Sequence, residues 1–175
     1  GIIHAFNVDG SEVEGWPVTL EPRTGHRADW PNDHRDACAF QPADDRGTCT
    51  TQGHVNPNVA QSILIGSPAV ANLEGDDGGD LEVVVASSDG YVYVFRADGT
   101  LAPGFPVATD RTYSAFTDRH NTLDEGFFAQ PSLYDLDGDG DLEIIAGASD
   151  QHVYVWNTDG STESGFPVLC RDVYR

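Results

Sequence analysis

In Asp135-Leu-Asp-Gly-Asp-Gly-Asp-Leu-Glu143, carboxylates stand at every second position: Asp135, Asp137, Asp139, Asp141 and Glu143. Glycines fill the fourth and sixth places. A loop that curls round a cation aims alternate side chains inward, and glycine permits the tight turn. Calcium takes about six to eight oxygen ligands at about 2.3–2.6 Å, so the spacing reads as a calcium loop. The seventh position of such a loop ordinarily gives its backbone carbonyl, which makes the Asp141 side chain a bystander, and Glu143 closes the site. Without a cation these carboxylates would repel one another strongly. The competing reading is a solvated acidic turn. Magnesium suits the loop less, since it prefers a smaller octahedral shell with more water.

A second acidic loop lies upstream, Asn72-Leu-Glu-Gly-Asp-Asp-Gly-Gly-Asp-Leu-Glu82. Asn72, Glu74 and Asp76 match the first, third and fifth positions of the first loop. Asp80 is the counterpart of Asp141, and Glu82 matches the closing acid after two inserted residues. Calcium is the expected ion here too, through Asp77 or a shifted carbonyl.

What must position these loops is a repeat. Ile3-His-Ala-Phe-Asn-Val-Asp-Gly10, Val92-Tyr-Val-Phe-Arg-Ala-Asp-Gly99 and Val153-Tyr-Val-Trp-Asn-Thr-Asp-Gly160 align without gaps. Each is followed by Gly-aromatic-Pro-Val: Gly15-Trp-Pro-Val18, Gly104-Phe-Pro-Val107 and Gly165-Phe-Pro-Val168. The second and third copies carry an upstream half in which a short apolar run, an acidic loop and a β-branched run follow one another. Each full copy therefore predicts four strands: A (68–73, 131–136), B (81–86, 142–148), C (91–96, 152–157) and D (102–107, 163–168). Asp98-Gly99 and Asp159-Gly160 suit tight hairpin turns, and no segment holds helical apolar spacing over three turns. The fold class is all-β, as four-stranded antiparallel β-propeller blades, about two and a half of them. A β-sandwich is the alternative architecture. Phe6, Phe95 and Trp156 share one repeat position, and Trp16, Phe105 and Phe166 another. All six read as packing between blades.

The run from Asp135 to Gly147 resembles the calcium loop and following strand of FG-GAP/VCBS repeats, the blades of integrin α-subunit propellers and of many secreted bacterial proteins. The resemblance covers 1–18, 66–107 and 129–168. It implies a loop joining strands A and B on one propeller face, with Asp135, Asp137, Asp139 and Glu143 as side-chain ligands and Asp141 binding through its carbonyl. The sequence departs from the family in the longer loop at 72–82, in the lack of an acidic loop in the first repeat, and in the missing Phe-Gly-Gly-Ala-Pro signature.

The organisation that follows is strands C and D of a first blade (1–18), an insert running into the next blade (19–67), a second blade (66–107), an insert (108–130), a third blade (129–168) and a tail (169–175). Cys38 and Cys49 lie in the first insert, and a local disulfide between them is expected in a secreted protein. It would stabilise the loop by roughly 2–3 kcal/mol. Cys170 is left over, as a buried thiol or as a bridge to another segment or chain. The first insert also holds Trp30, His26, His34 and His54, without the tight spacing of a zinc set. The second holds Tyr113, Phe116, Arg119 and His120. Inserts of this kind are natural binding loops.

With 29 acidic against 9 basic residues, the formal net charge of −20 argues against nucleic acid or an anionic membrane surface as partner. No stretch approaches the roughly 20 apolar residues of a membrane span. No nucleophile–base pairing and no glycine-rich phosphate loop emerge, so a catalytic role is not expected. The chain opens at Gly1 rather than Met and reads as processed or as part of something longer. Two and a half blades cannot close a ring, so either the chain is a slice of a larger propeller or neighbouring chains complete one another as a ring or filament. The leading functional reading is a non-catalytic extracellular module, rigidified by calcium, with a structural, adhesion or assembly role and protein partners that include further copies. A carbohydrate-binding propeller facing glycans, or an accessory domain of a secreted hydrolase or lyase, is the alternative.

Overall fold

The computed structural model describes residues 2–20, 66–76, 79–88, 90–110, 113 and 126–170. They form β-strands and turns with no helix longer than a single turn. β1 (Ile2–Ile3) and β2 (Val18–Thr19) pair as a short antiparallel ribbon. β3 (Ala69–Ala71), β4 (Glu82–Ala86), β5 (Tyr91–Phe95) and β6 (Val107–Ala108) make a four-stranded antiparallel meander in chain order. β7 (Ser132–Tyr134), β8 (Glu143–Gly147), β9 (His152–Trp156) and β10 (Val168–Leu169) repeat it. The fold is therefore all-β, built from antiparallel sheets of the repeat, none of which closes on itself. The Cys38–Cys49 pair and the histidines of the first insert lie outside the described residues, as do Phe116, Arg119 and His120.

The central strands are β-branched and aromatic because both of their faces are covered. Side chains alternate across a strand. Val84, Ala86, Val92 and Val94 thus share one face of the second sheet, where they pack with Ile144, Ala146, Tyr154 and Trp156 of the third. Val85, Tyr93 and Phe95 take the opposite face and pack with Ile3, Trp16, Val18 and Leu20 of the first ribbon. The second sheet is sandwiched between its neighbours. Each fully buried Val or Ile in these layers stabilises by about 1.5–3 kcal/mol.

The turns repeat as closely as the strands. Arg96 N–H donates to Thr100 O (2.8 Å) and Gly99 N–H to Arg96 O (2.9 Å), with Gly99 at φ 78°. This is a three-residue loop whose last residue needs a positive φ, rather than the two-residue turn that Asp-Gly suggests. Asn7–Ser11 and Asn157–Ser161 carry the same pair of bonds. In each loop the aspartate carboxylate accepts both the N–H and the hydroxyl of the Ser or Thr two residues on, as Asp98 Oδ1 does from Thr100 at 2.9 and 2.6 Å.

Strand D sits differently from its expected place. The expected span 102–107 contains Pro103, Gly104 and Pro106, and prolines have no N–H to give a ladder. The segment instead folds into a turn: Ala102 N–H donates to Val94 O and Phe105 N–H to Ala102 O. The peptides before Pro17, Pro106 and Pro167 are cis. Regular pairing resumes only at Val107, opposite Val92, and at Val168, opposite Val153.

These turns lock one unit to the next. A Cβ on Gly15 would lie 1.8 Å from Asp98 O, and one on Gly104 would lie 1.9 Å from Asp159 O. Trp16 Nε1 also donates to Ala97 O across the first boundary (2.9 Å). The aromatic positions serve as interlayer packing at Trp16, Phe95, Phe105 and Trp156, all buried, whereas Phe6 is exposed and Phe166 half-buried.

Candidate metal centre

Tyr134 pairs with Glu143, so residues 135–142 close the hairpin between β7 and β8. Gly138 (φ 82°) and Gly140 (φ 104°) take backbone conformations that other residues adopt at a cost, which is why glycines fall here. The aspartates organise the loop on its own amides. Asp135 Oδ1 accepts Gly138 N–H (2.7 Å), Asp137 Oδ1 accepts Asp139 N–H (3.1 Å) and Asp139 Oδ1 accepts Asp141 N–H (2.9 Å). Glu143, 1% exposed, turns back into the loop, where its Oε2 accepts Leu136 N–H (2.5 Å).

The result is an oxygen cluster. One carboxylate oxygen from each of Asp135, Asp137 and Glu143 lies within 4.8 Å of the other two. Two oxygens on opposite sides of a calcium ion stand about 4.6–5.2 Å apart, twice the usual bond length, so the three fit one ion. Like charges about 4 Å apart repel by about 4 kcal/mol per pair at an effective dielectric of 20, and a divalent cation would reverse the sign of that balance. The all-oxygen set suits a hard cation rather than zinc or copper. Asp139 and Asp141 stand outside the group of three. Asp139 caps the Asp141 amide, and Asp141 Oδ2 lies 3.5 Å from the Thr158 hydroxyl.

The upstream loop closes a hairpin of the same register, with Ala71 opposite Glu82. Glu82 Oε2 accepts Leu73 N–H (2.9 Å), as Glu143 does from Leu136. The difference lies at its first position. The Asn72 amide donates to Asp76 O (2.7 Å) and Asp76 Oδ1 (3.1 Å), so an N–H group occupies the side of the loop where its counterpart has a carboxylate. Glu74, Asp76 and Asp80 are not buried, and among the described residues they form no group of three acids close enough to share an ion. The two loops touch: Leu142 N–H donates to Leu73 O (2.7 Å), and Gly75 lies against the Gly140 carbonyl.

A polar cluster at the turn between β8 and β9 was not legible in the sequence. Asp150, 2% exposed, accepts His152 N–H (2.9 Å) and the Tyr154 hydroxyl, while Tyr154 Oη accepts Asp110 N–H (3.0 Å). Burial, and then the bond to Asp150, push the Tyr154 hydroxyl far above the ordinary tyrosine range. Tyr113 covers the His152 ring at 4.4 Å. The arrangement ties the segment after β6 to the third sheet. The only hint of it is the alternation of His152, Tyr154 and Trp156, which puts those rings on one face.

In comparisons with known proteins, no protein-family model matches the chain and no curated protein matches it.

Proposed function

We propose that this chain is a non-catalytic extracellular module of β-propeller blades, held rigid by calcium, with a structural, adhesion or assembly role. The observation that carries the reading is the convergence of Asp135, Asp137 and Glu143 oxygens within 4.8 Å on a hairpin loop. The face-to-face stacking of four-stranded meanders supports the blade architecture. Asp135, Asp137 and Glu143 would hold the ion, and the remaining oxygens would come from loop carbonyls and water. The bound ion offsets the repulsion among the carboxylates and fixes the edge where the two acidic loops meet. Protein surfaces, including further copies of the chain, are the proposed partners. Calorimetric titration of the chelator-treated chain tests this: calcium is expected to bind with at least about tenfold preference over magnesium. A chain that takes up neither ion would remove the cation from the account.

A further inference from the structure

Five Asp-Gly pairs lie wholly within the described residues: Asp9-Gly10, Asp98-Gly99, Asp137-Gly138, Asp139-Gly140 and Asp159-Gly160. Glycine has no side chain to shield its own amide nitrogen, so each pair is open to ring closure between that nitrogen and the aspartate side chain. All five aspartates are exposed, and their side chains are set alike. In each, Oδ1 accepts the N–H two residues on, from Ser11, Thr100, Asp139, Asp141 and Ser161 at 2.9, 2.9, 3.1, 2.9 and 2.8 Å. That bond encloses the glycine peptide within the turn and holds the carboxyl group beside it.

The glycine amides differ. Gly10, Gly99 and Gly160 donate theirs to Asn7 O, Arg96 O and Asn157 O, each at 2.9 Å. Gly138 donates to Asp135 Oδ1 at 2.7 Å. Among the described residues, Gly140 N–H donates to no group. A nitrogen held in a hydrogen bond must give that bond up before it can attack, whereas the Gly140 nitrogen starts free. A Cβ added at Gly140 would meet nothing within 4 Å, so no neighbour crowds its Cα, while Gly99 and Gly160 lie against the carbonyls of Gly15 and Gly104.

We propose that Asp139 is a site of spontaneous isoaspartate formation, ahead of the four other pairs. The Gly140 nitrogen bonds to Asp139 Cγ, and the carboxyl hydroxyl leaves as water with the amide proton. One water then opens the resulting succinimide. Opening at the original peptide C–N bond leaves the chain running through Cγ and turns the former peptide carbonyl into the carboxylate. No oxidant or other reagent is needed. The backbone between Asp137 and Glu143 gains one carbon, which breaks the alternation of side chains along the loop. On the calcium reading above, the product is a weakened cation site, since Asp135 and Asp137 stand on one side of the added carbon and Glu143 on the other.

The test incubates the full chain in chelator at neutral pH and physiological temperature. Isoaspartate is read in proteolytic fragments by electron-transfer mass spectrometry, which distinguishes Asp137 from Asp139. Isoaspartate at Asp139 is expected to form at least about threefold faster than at Asp9, Asp98, Asp137 or Asp159, the factor that one hydrogen bond is worth. In concentrated urea the five glycine amides are alike, and the preference is expected to vanish. Equal rates in the folded chain, another of the five pairs ageing faster than Asp139, or a preference that survives undiminished in urea would each overturn the proposal. Calcium titration before and after ageing reads the consequence for the cation site. Affinity is expected to fall in proportion to the isoaspartate content at Asp139, and an affinity that survives full conversion would overturn that link. An unaged chain that takes up no calcium would sink the calcium reading and leave the modification standing.

Discussion

Glu143 reaches back across its own hairpin to accept the amide of Leu136 at 2.5 Å, and Glu82 makes the same bond to Leu73 at 2.9 Å. The closing acid of each loop is therefore a structural brace before it is a ligand. Glu143 adds the second role because Asp135 and Asp137 converge on it. Glu143→Gln keeps the amide acceptor and removes the charge. Calcium affinity is expected to fall by at least about tenfold by calorimetry, with the apo chain little changed or slightly more stable. An unchanged affinity would take Glu143 out of the site.

Asn72→Asp is the complementary change. It removes the amide that donates to Asp76 and supplies the carboxylate found at the first position of the other loop. Calcium affinity of the 72–82 loop is expected to rise by at least about tenfold, while stability in chelator falls from added repulsion. Calcium titration alongside chemical unfolding in EDTA reads both effects.

Tyr154→Phe tests the buried clamp. The hydroxyl donates to the Asp150 carboxylate and accepts Asp110 N–H, so its loss removes both bonds. The expected cost is about 1.5–3 kcal/mol in denaturant unfolding, with calcium affinity unchanged. A cost below about 0.5 kcal/mol would mean that neither bond persists in solution.

Asp9, Asp98 and Asp159 are each held below the ordinary aspartate range first by the hydroxyl of Ser11, Thr100 or Ser161 and then by its amide. A depressed folded value contributes stability that is present above the unfolded value of about 3.9 and is lost as pH falls through the folded one. Thr100→Val removes the hydroxyl donor and leaves the amide. The Asp98 carboxyl, followed by NMR titration, is expected to move up toward the ordinary value while Asp9 and Asp159 stay in place. A static Asp98 would contradict the assignment.

Gly104→Ala and Gly165→Ala share a repeat position and a positive φ, 84° and 92°, but differ in surroundings. Both carry the strain of a left-handed residue, about 1–2 kcal/mol. Only the change at Gly104 would also drive a Cβ into the Asp159 carbonyl. Gly104→Ala is therefore expected to cost at least about 2 kcal/mol more than Gly165→Ala in a dilute chain. Equal costs in denaturant titrations would argue against the packed boundary.

Much of this architecture is legible in the sequence alone. β4, β5, β8 and β9 fall within a residue or two of their expected spans, because continuous β-branched and aromatic runs admit few other structures. The acidic loop was equally visible, since alternation of Asp with Gly is a local property. Strand D was less so: the Gly-aromatic-Pro-Val run looks extended, but its prolines cannot join a ladder, and the segment turns before pairing at Val107 and Val168. The Asp150 cluster is hidden from the sequence for a different reason. Ser149-Asp-Gln151 reads as an ordinary solvated turn, and the groups that cover the Asp150 side of the sheet arrive from Asp110 and Tyr113, far away in the chain.

The most direct test of the account is the melting temperature of the chelator-treated chain with and without calcium, at about one hundred times the dissociation constant found by calorimetry. Binding to the folded state is expected to add about 2.7 kcal/mol of stability, or a rise of roughly 5–10 °C. Asp137→Asn should blunt the rise. A melting temperature that calcium leaves unchanged, with no heat of binding, would contradict the claim that the Asp135–Glu143 loop is a calcium site.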